Sequence, residues 1–340
     1  MKIIPWKNQK QHYNDALAYI KGRHNGTITS ILTPWTSVND ATTNGLEWHS
    51  MTVMGGRPGT GKTTIKDQLI RDTFTLNTDK MRVLEFSLEM LGKTTAIRGM
   101  SAYTGESYKQ LCSAEKGKGK VSQETFEKCK NFAKEMGQLP IDVVESGPTV
   151  KQFEMIIEKY MNEHKTVINS GGLPITTYTN TIITVDHSLL LEVDKKVEKS
   201  KNDMLYNLGT TLTRLKRKYP IAFIILSQLN RAIDHPDRNE NGKYGNYVLE
   251  SDIFGADALL QHADTVIGLN RPGKQKIRFY GPERYIVPNA EMLVMHFLKC
   301  RNGENGLCFF NTVFREMRIE EIATPPTEAE SRARNITTKI

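Results

Sequence analysis

Residues 51–64 read MTVMGGRPGTGKTT, an apolar run followed at once by a glycine-rich turn. Gly56, Gly61, Lys62 and Thr63 keep the spacing G-x-x-x-x-G-K-[ST]. Glycines let the backbone turn sharply, so several N–H groups converge on one point, and a helix N-terminus behind them favours an anion. Such a loop therefore demands a strand before it and a helix after it. Residues 51–55 read as the strand and residues 62–77 as the helix. On this reading Gly56, Arg57, Pro58, Gly59, Thr60, Gly61, Lys62, Thr63 and Thr64 surround the phosphates of a nucleotide. Lys62 reaches the β- and γ-phosphates, and the Thr63 hydroxyl lies on Mg²⁺. Kinases, GTPases, recombinases, helicases and transport ATPases all remain open at this point.

Composition narrows the setting. The 340 residues are 38% hydrophobic and 25% charged, ordinary for a globular protein. The loop lies near the start of the chain, which leaves room for one ATPase core with short extensions. A net charge of +8 suits a polyanionic partner. The cysteines at 112, 129, 300 and 308 show no C-x-x-C pairing, which argues against zinc and a disulfide framework and for a reducing compartment. No apolar stretch approaches the ~18–20 residues that span a membrane. The first residues carry no signal-peptide core. The expected location is the cytoplasm, without a membrane partner.

Along the chain, residues 8–22 read as a short helix with Tyr13, Leu17 and Ile20 on one apolar face. That face either packs on its own core or docks on a neighbouring subunit. Strands are then expected at 81–87, 141–145, 181–187, 221–227, 263–269, 291–299 and 307–312. Helices are expected at 89–103, 123–136, 150–163 and 203–218, with loops at 114–122 and 169–180. Strands alternating with helices predict an α/β fold with a mostly parallel sheet flanked by helices. The expected organisation is a docking helix in 1–30, an ATPase domain over 31–322 and a polar, Pro-containing, mobile tail over 323–340.

Several polar residues stand where strands end. Asp186 follows the apolar run 181–185, where a metal-binding carboxylate of a phosphate-loop enzyme would sit; a strand-ending Asp that caps a turn is the alternative. Glu89 follows the strand 81–87 and either activates water or stabilises the first turn of a helix. Gln228 ends another strand and either senses the γ-phosphate or is an ordinary loop glutamine. Lys299 and Arg301 are two apart in a strand and so point the same way. They form either a solvated edge or a cationic pair aimed at a phosphate in another subunit.

Taken in order, "GGRPGTGKTT", "EFSLEM", "IITVDH", "ILSQLNR", "SDIFGADALLQHADTVI" and "KCRNGENG" resemble the ATPase domain of replicative hexameric helicases of the DnaB type. The likeness runs from about residue 10 to about residue 320. It implies a RecA-like phosphate-loop NTPase fold with a short N-terminal linker helix that docks on the adjacent subunit of a ring. It implies ATP and Mg²⁺, with Lys62 and Thr63 on phosphate and metal, Asp186 as the metal carboxylate, Glu89 as catalytic base, Gln228 as γ-phosphate sensor, and Lys299 and Arg301 acting in trans. It implies single-stranded DNA as track, and primase or loader proteins as partners.

Three departures stand out. The domain that precedes the linker in cellular members is missing from this sequence, as expected of a compact phage- or plasmid-like helicase served by separate loading or priming proteins. His187 replaces the tyrosine that usually follows the metal aspartate. The DNA-facing segment, typically S-D-L-R-E-S-G, here reads Ser251-Asp252-Ile253-Phe254-Gly255-Ala256-Asp257. Asp252, Phe254 and Gly255 are candidate DNA contacts; Phe254 either stacks on a base or is buried. Lys195 and Lys196 either line a central channel or belong to a solvated, charge-balanced loop. An assembling ATPase of the RecA or KaiC kind, without unwinding, and a non-catalytic nucleotide-binding scaffold are the rival readings.

Overall fold

A computed structural model describes residues 6–115, 118–170, 173–235, 237–238 and 246–337. Its central sheet has nine strands: β1 (Ser50–Gly56), β2 (Met81–Ser87), β3 (Ile141–Val144), β4 (Asn180–Asp186), β5 (Ile221–Gln228), β6 (Thr265–Asn270), β7 (Met292–Cys300), β8 (Gly306–Val313) and β9 (Arg318–Glu321). Their order across the sheet is β9-β8-β7-β6-β1-β5-β4-β2-β3. The six strands from β6 to β3 run parallel, and β7, β8 and β9 extend one side antiparallel.

The parallel strands are apolar at nearly every position because both of their faces are covered. Alternation decides which face each residue serves. Met51, Val53, Ile183, Val185, Phe223 and Ile225 enter one core. Met54, Ile182, Ala222, Ile224 and Leu226 enter the other. The main helices are α1 (Gln9–His24), α2 (Lys62–Leu76), α3 (Gly92–Thr104), α4 (Gln123–Met136), α5 (Val150–Glu163) and α6 (Lys201–Lys218). The first core is closed by α5 through Phe153 and Ile157 and by α6 through Leu205, Leu208 and Leu212. The second is closed by Ile65 and Leu69 of α2 and by Ile31, Trp35 and Leu46 of the segment leading into β1.

Several expectations change. Within the expected loop 114–122, Ala114–Glu115 and Lys118–Gly119 pair as short antiparallel strands. Residues 169–180 are not a plain loop: Lys165–Ser170 and Leu173–Tyr178 pair as an antiparallel hairpin. Its β-branched residues, Thr166, Val167, Ile168, Ile175, Thr176 and Thr177, flank Gly171-Gly172, a strand-turn-strand signature. The short strand β9 was not expected, since Arg318-Ile319-Glu320-Glu321 is mostly charged; only Ile319 is buried, as an edge position requires. In the tail, Glu328–Thr337 is helical, and Arg284 ties its first turn to the domain through Glu328 (2.5 Å).

Helix α1 starts with a capping box in which Asn8 and Gln11 satisfy each other's backbone N–H groups. Its apolar residues find no core within their own chain: Tyr13, Leu17 and Ile20 are 64%, 63% and 62% exposed. Of the two sequence alternatives for this face, packing on its own core does not hold among the described residues.

Candidate nucleotide site

The phosphate loop leaves the carboxyl end of β1 and enters α2. Gly59 and Gly61 take φ values of 73° and 101°, the left-handed region that favours glycine. A Cβ on Gly61 would also lie 2.8 Å from the Phe314 ring. Lys62 is buried and donates to the carbonyls of Gly56 (2.6 Å) and Arg57 (3.1 Å), folding back over the loop. Burial lowers its pKa; Asp186 and Glu89 oppose that shift. Arg57 forms an ion pair with Asp234, tying the loop to the turn after β5.

Asp186 ends β4 opposite Ser87 of β2. It is 2% exposed, and its Oδ1 has no hydrogen-bond partner among the described residues. The Thr63 hydroxyl bonds to the same carboxylate. Burial raises the Asp186 pKa, and Lys66 and Thr63 act against the rise. A carboxylate oxygen left unpaired beside a hydroxyl is a hard-oxygen donor set, and it fits magnesium. The Asp186 carbonyl also accepts the N–H groups of Leu88 (2.9 Å) and Glu89 (3.2 Å), fixing the turn that carries Glu89. Helix α3 begins only at Gly92, so Glu89 lies outside its first turn and is exposed at the carboxyl edge of the sheet. Gln228 faces Gly56 in the strand register, at the level of the loop. Its amide nitrogen lies 3.1 Å from Nε2 of His187, a buried ring whose pKa burial lowers.

Lys299 and Arg301 lie elsewhere. Strand β7 runs against β6, and Thr265 faces both Thr52 and Cys300, whereas Gly56 faces Leu269. The rise from Thr265 to Leu269 is roughly 13 Å. The two cations therefore stand at the amino-terminal edge of the parallel strands, and the phosphate loop leaves the opposite edge. The strand ends at Cys300, so Arg301 lies in the turn after it and not in the strand with Lys299; Lys299 donates to the Leu260 carbonyl (2.8 Å) and Arg301 pairs with Asp264 (3.2 Å).

The DNA candidates separate. Asp252 is 1% exposed and holds Arg238 through two charged hydrogen bonds of 2.7 and 2.8 Å, so it is a structural anchor and not a DNA contact. Gly255 has φ 68°, the left-handed region that favours glycine, and a Cβ there would press on the end of the Leu205 side chain. Phe254 is exposed rather than buried, and its N–H donates to the Gln228 carbonyl (2.8 Å). Lys195 and Lys196 are exposed on the turn before α6, beside exposed Val197.

Sequence reading missed a group on the outer side of the loop. Arg271 lies 4.7 Å over the Phe314 ring, which itself abuts Gly61. Lys274 Nζ lies 3.7 Å from where a Gly59 Cβ would be. No motif spacing connects these residues to the loop; only β6 ending beside β1 brings them there.

Comparison with known proteins agrees with this geometry. Residues 31–319 match the DnaB-like helicase C-terminal domain family. The chain is 25% identical over 245 residues to the replicative DNA helicase DnaB of Helicobacter pylori, covering 72% of this chain and 44% of that protein. It is 22% identical over 330 residues to DnaB of Geobacillus stearothermophilus, covering 94% of this chain and 65% of that protein. The chain thus spans less than two thirds of either relative. Among solved structures, one of an ATPase domain superposes with a TM-score of 0.72 at 19% identity, over 91% of this chain and 98% of that one. A DnaB-like replicative helicase studied with primase gives 0.71 at 19% identity, over 91% of this chain and 68% of that one. The fold is RecA-like, and the chain belongs to the family of DnaB-like helicase C-terminal domains.

Proposed function

We propose that this chain is the motor of an ATP-driven DNA helicase that works as a ring of six subunits, each interface holding one ATP. One subunit binds the triphosphate with residues 56–64, and Lys62 moves from the loop carbonyls to the β- and γ-phosphates. Magnesium, held by Asp186 and Thr63 with phosphate oxygens, would offset the charge of the triphosphate. Glu89 accepts a proton from the water that attacks the γ-phosphorus, and ADP and phosphate leave. Gln228 hydrogen-bonds the γ-phosphate. Phe314 and Arg271 offer a flat surface for the base. The neighbour supplies Lys299 and Arg301, and an arginine so placed is worth ~10³–10⁵ in rate.

The observation that carries this reading is the separation of Lys299 and Arg301 from their own phosphate loop by the length of the sheet. A single chain cannot close the site, whereas a head-to-tail neighbour can. The exposed apolar face of α1 supplies a second contact for such a neighbour. The Phe254–Gln228 hydrogen bond links a single-strand stacking residue to the γ-phosphate sensor, which gives hydrolysis a route to DNA movement. Lys195 and Lys196 line the same channel. Primase or a loader acts on the ring from outside.

ATP turnover measured against protein concentration, with and without single-stranded DNA, tests the reading. The specific rate should climb with assembly and rise further with DNA, and Lys62→Ala and Glu89→Gln should abolish it. A forked duplex should be unwound. Turnover without unwinding would instead favour an assembling ATPase, and no turnover at all would favour a scaffold.

A further inference from the structure

Arg301 does not stand alone at the far edge of the sheet. Asp264, the residue before β6, is fixed by its own backbone: its N–H donates to the Met51 carbonyl (2.9 Å), and its carbonyl accepts the N–H of Arg301 (2.9 Å). Its carboxylate is divided. Oδ2 accepts the Met51 N–H (2.9 Å) and pairs with Lys216, whose side chain is 9% exposed. Oδ1 pairs with Nη1 of Arg301 (3.2 Å), and the Arg301 side chain is 54% exposed. Among the described residues the guanidinium has no other side-chain partner, which leaves its other N–H groups for a ligand outside the chain. Lys299, Lys216 and Arg301 together outnumber the two carboxylates that act on them, Asp264 and Glu250, so the patch stays cationic.

We propose that Asp264 is the positioning residue for Arg301, holding the guanidinium in the orientation in which the neighbouring subunit's γ-phosphate meets it. The claim rests on the shared-site reading above. A long arginine just past a strand end loses rotamer freedom when it engages a phosphate. A tether made in advance removes that loss from the rate-limiting step, and a misplacement near 1 Å can cost about a hundredfold. Lys216 matters because, with the Met51 N–H, it occupies the second oxygen and leaves Oδ1 as the point of attachment for Arg301.

The test is a double-mutant cycle on the assembled protein with DNA, using Asp264→Asn, Arg301→Ala and the pair. Asp264→Asn should lower kcat at least about tenfold while KM and ring assembly stay unchanged. In the Arg301→Ala background it should cost nothing more, because the group it serves is gone. A full additional loss in the double variant, or a rise in rate on Asp264→Asn, would overturn the proposal. If Arg301→Ala alone has no effect, the shared site itself fails. If Arg301→Ala is impaired and Asp264→Asn is not, only the positioning claim fails. Should Asp264→Asn not fold, Asp264→Glu keeps the charge and displaces the guanidinium by about 1 Å; normal turnover by that variant, once assembled, would also overturn it.

Discussion

Lys66 shows that the nucleotide site extends below its visible surface. A lysine one turn into a helix would ordinarily face water, yet this one is 0% exposed. Its ammonium lies 2.7 Å from Asp67 and pairs with Glu85 of β2. Burial works against the Lys66 charge, but Asp67, Glu85 and Asp186 outweigh it and raise its pKa. Burial likewise pushes the Glu85 carboxyl up, with Lys66 acting against it. The ion cluster thus lies within electrostatic reach of Asp186, the proposed metal ligand. Removing one partner of such a pair leaves a buried charge uncompensated, at a cost of about 3–5 kcal/mol, whereas replacing both by apolar groups is often close to neutral. Lys66→Met should therefore lower unfolding stability by that amount in urea titrations, and Lys66→Met with Glu85→Leu should recover part of it, since the Asp67 carboxylate stays behind without its lysine. Equal losses in the single and double variants would show that the two side chains do not depend on each other.

The elements that bear the phosphate loop, Asp186 and Gln228 were legible because each strand is a near-continuous apolar run and each helix has a 3.6-residue period. The hairpin 165–178 was less so: Val167, Ile168 and Ile175 are all exposed, so no burial pattern marks its faces. Strand β9 hides in a charged stretch because only one of its side chains points inward. At the site, spacing carried Lys62, Thr63, Asp186, Glu89 and Gln228 to one sheet edge, since all follow strand ends. It could not reveal Phe314, Arg271 or the Asp252–Arg238 pair, which depend on which strands are neighbours. Helix α1 lies between these cases. Its pattern showed an apolar face, and among the described residues nothing of its own chain covers it. In the proposed ring a neighbouring subunit covers that face; an apolar-walled cleft of about 340 Å³, with Ile70, Ala96, Met100, Phe132 and Met136, lies between α2, α3 and α4. Charging the middle of the α1 face should then weaken assembly and leave the fold alone. Leu17→Asp should raise the protein concentration for half-maximal ATPase by about tenfold or more, with an unchanged melting temperature. Assembly at the normal concentration would mean that α1 faces solvent in the ring as well.

At the scale of the whole molecule, the decisive feature is polarity. The parallel strands put the phosphate loop at one edge of the sheet and Arg301 at the other; under the proposed shared site, identical copies meet head to tail, and such a contact closes into a ring when its rotation permits. Each interface then takes Lys62 from one subunit and Arg301 from the next. This makes a prediction that no single-chain active site can satisfy. Lys62→Ala and Arg301→Ala, each deficient alone, should regain turnover when mixed before assembly. An interface is intact wherever an Arg301→Ala subunit supplies the loop and a Lys62→Ala subunit supplies the arginine. In an equal random mixture that holds at about a quarter of the interfaces of a head-to-tail ring. Doubly substituted chains mixed with either single variant supply the control, because no interface in those rings has both groups. Recovery in the first mixture and none in the controls would place the two residues on opposite sides of one nucleotide. Failure to recover, with subunit exchange verified by labelled protomers, would mean either that each chain completes its own site or that hydrolysis must pass through every interface in turn. Wild-type subunits titrated into the Lys62→Ala ring decide between these: turnover in proportion to wild-type content marks independent sites, and a steeper loss marks sequential firing around the ring.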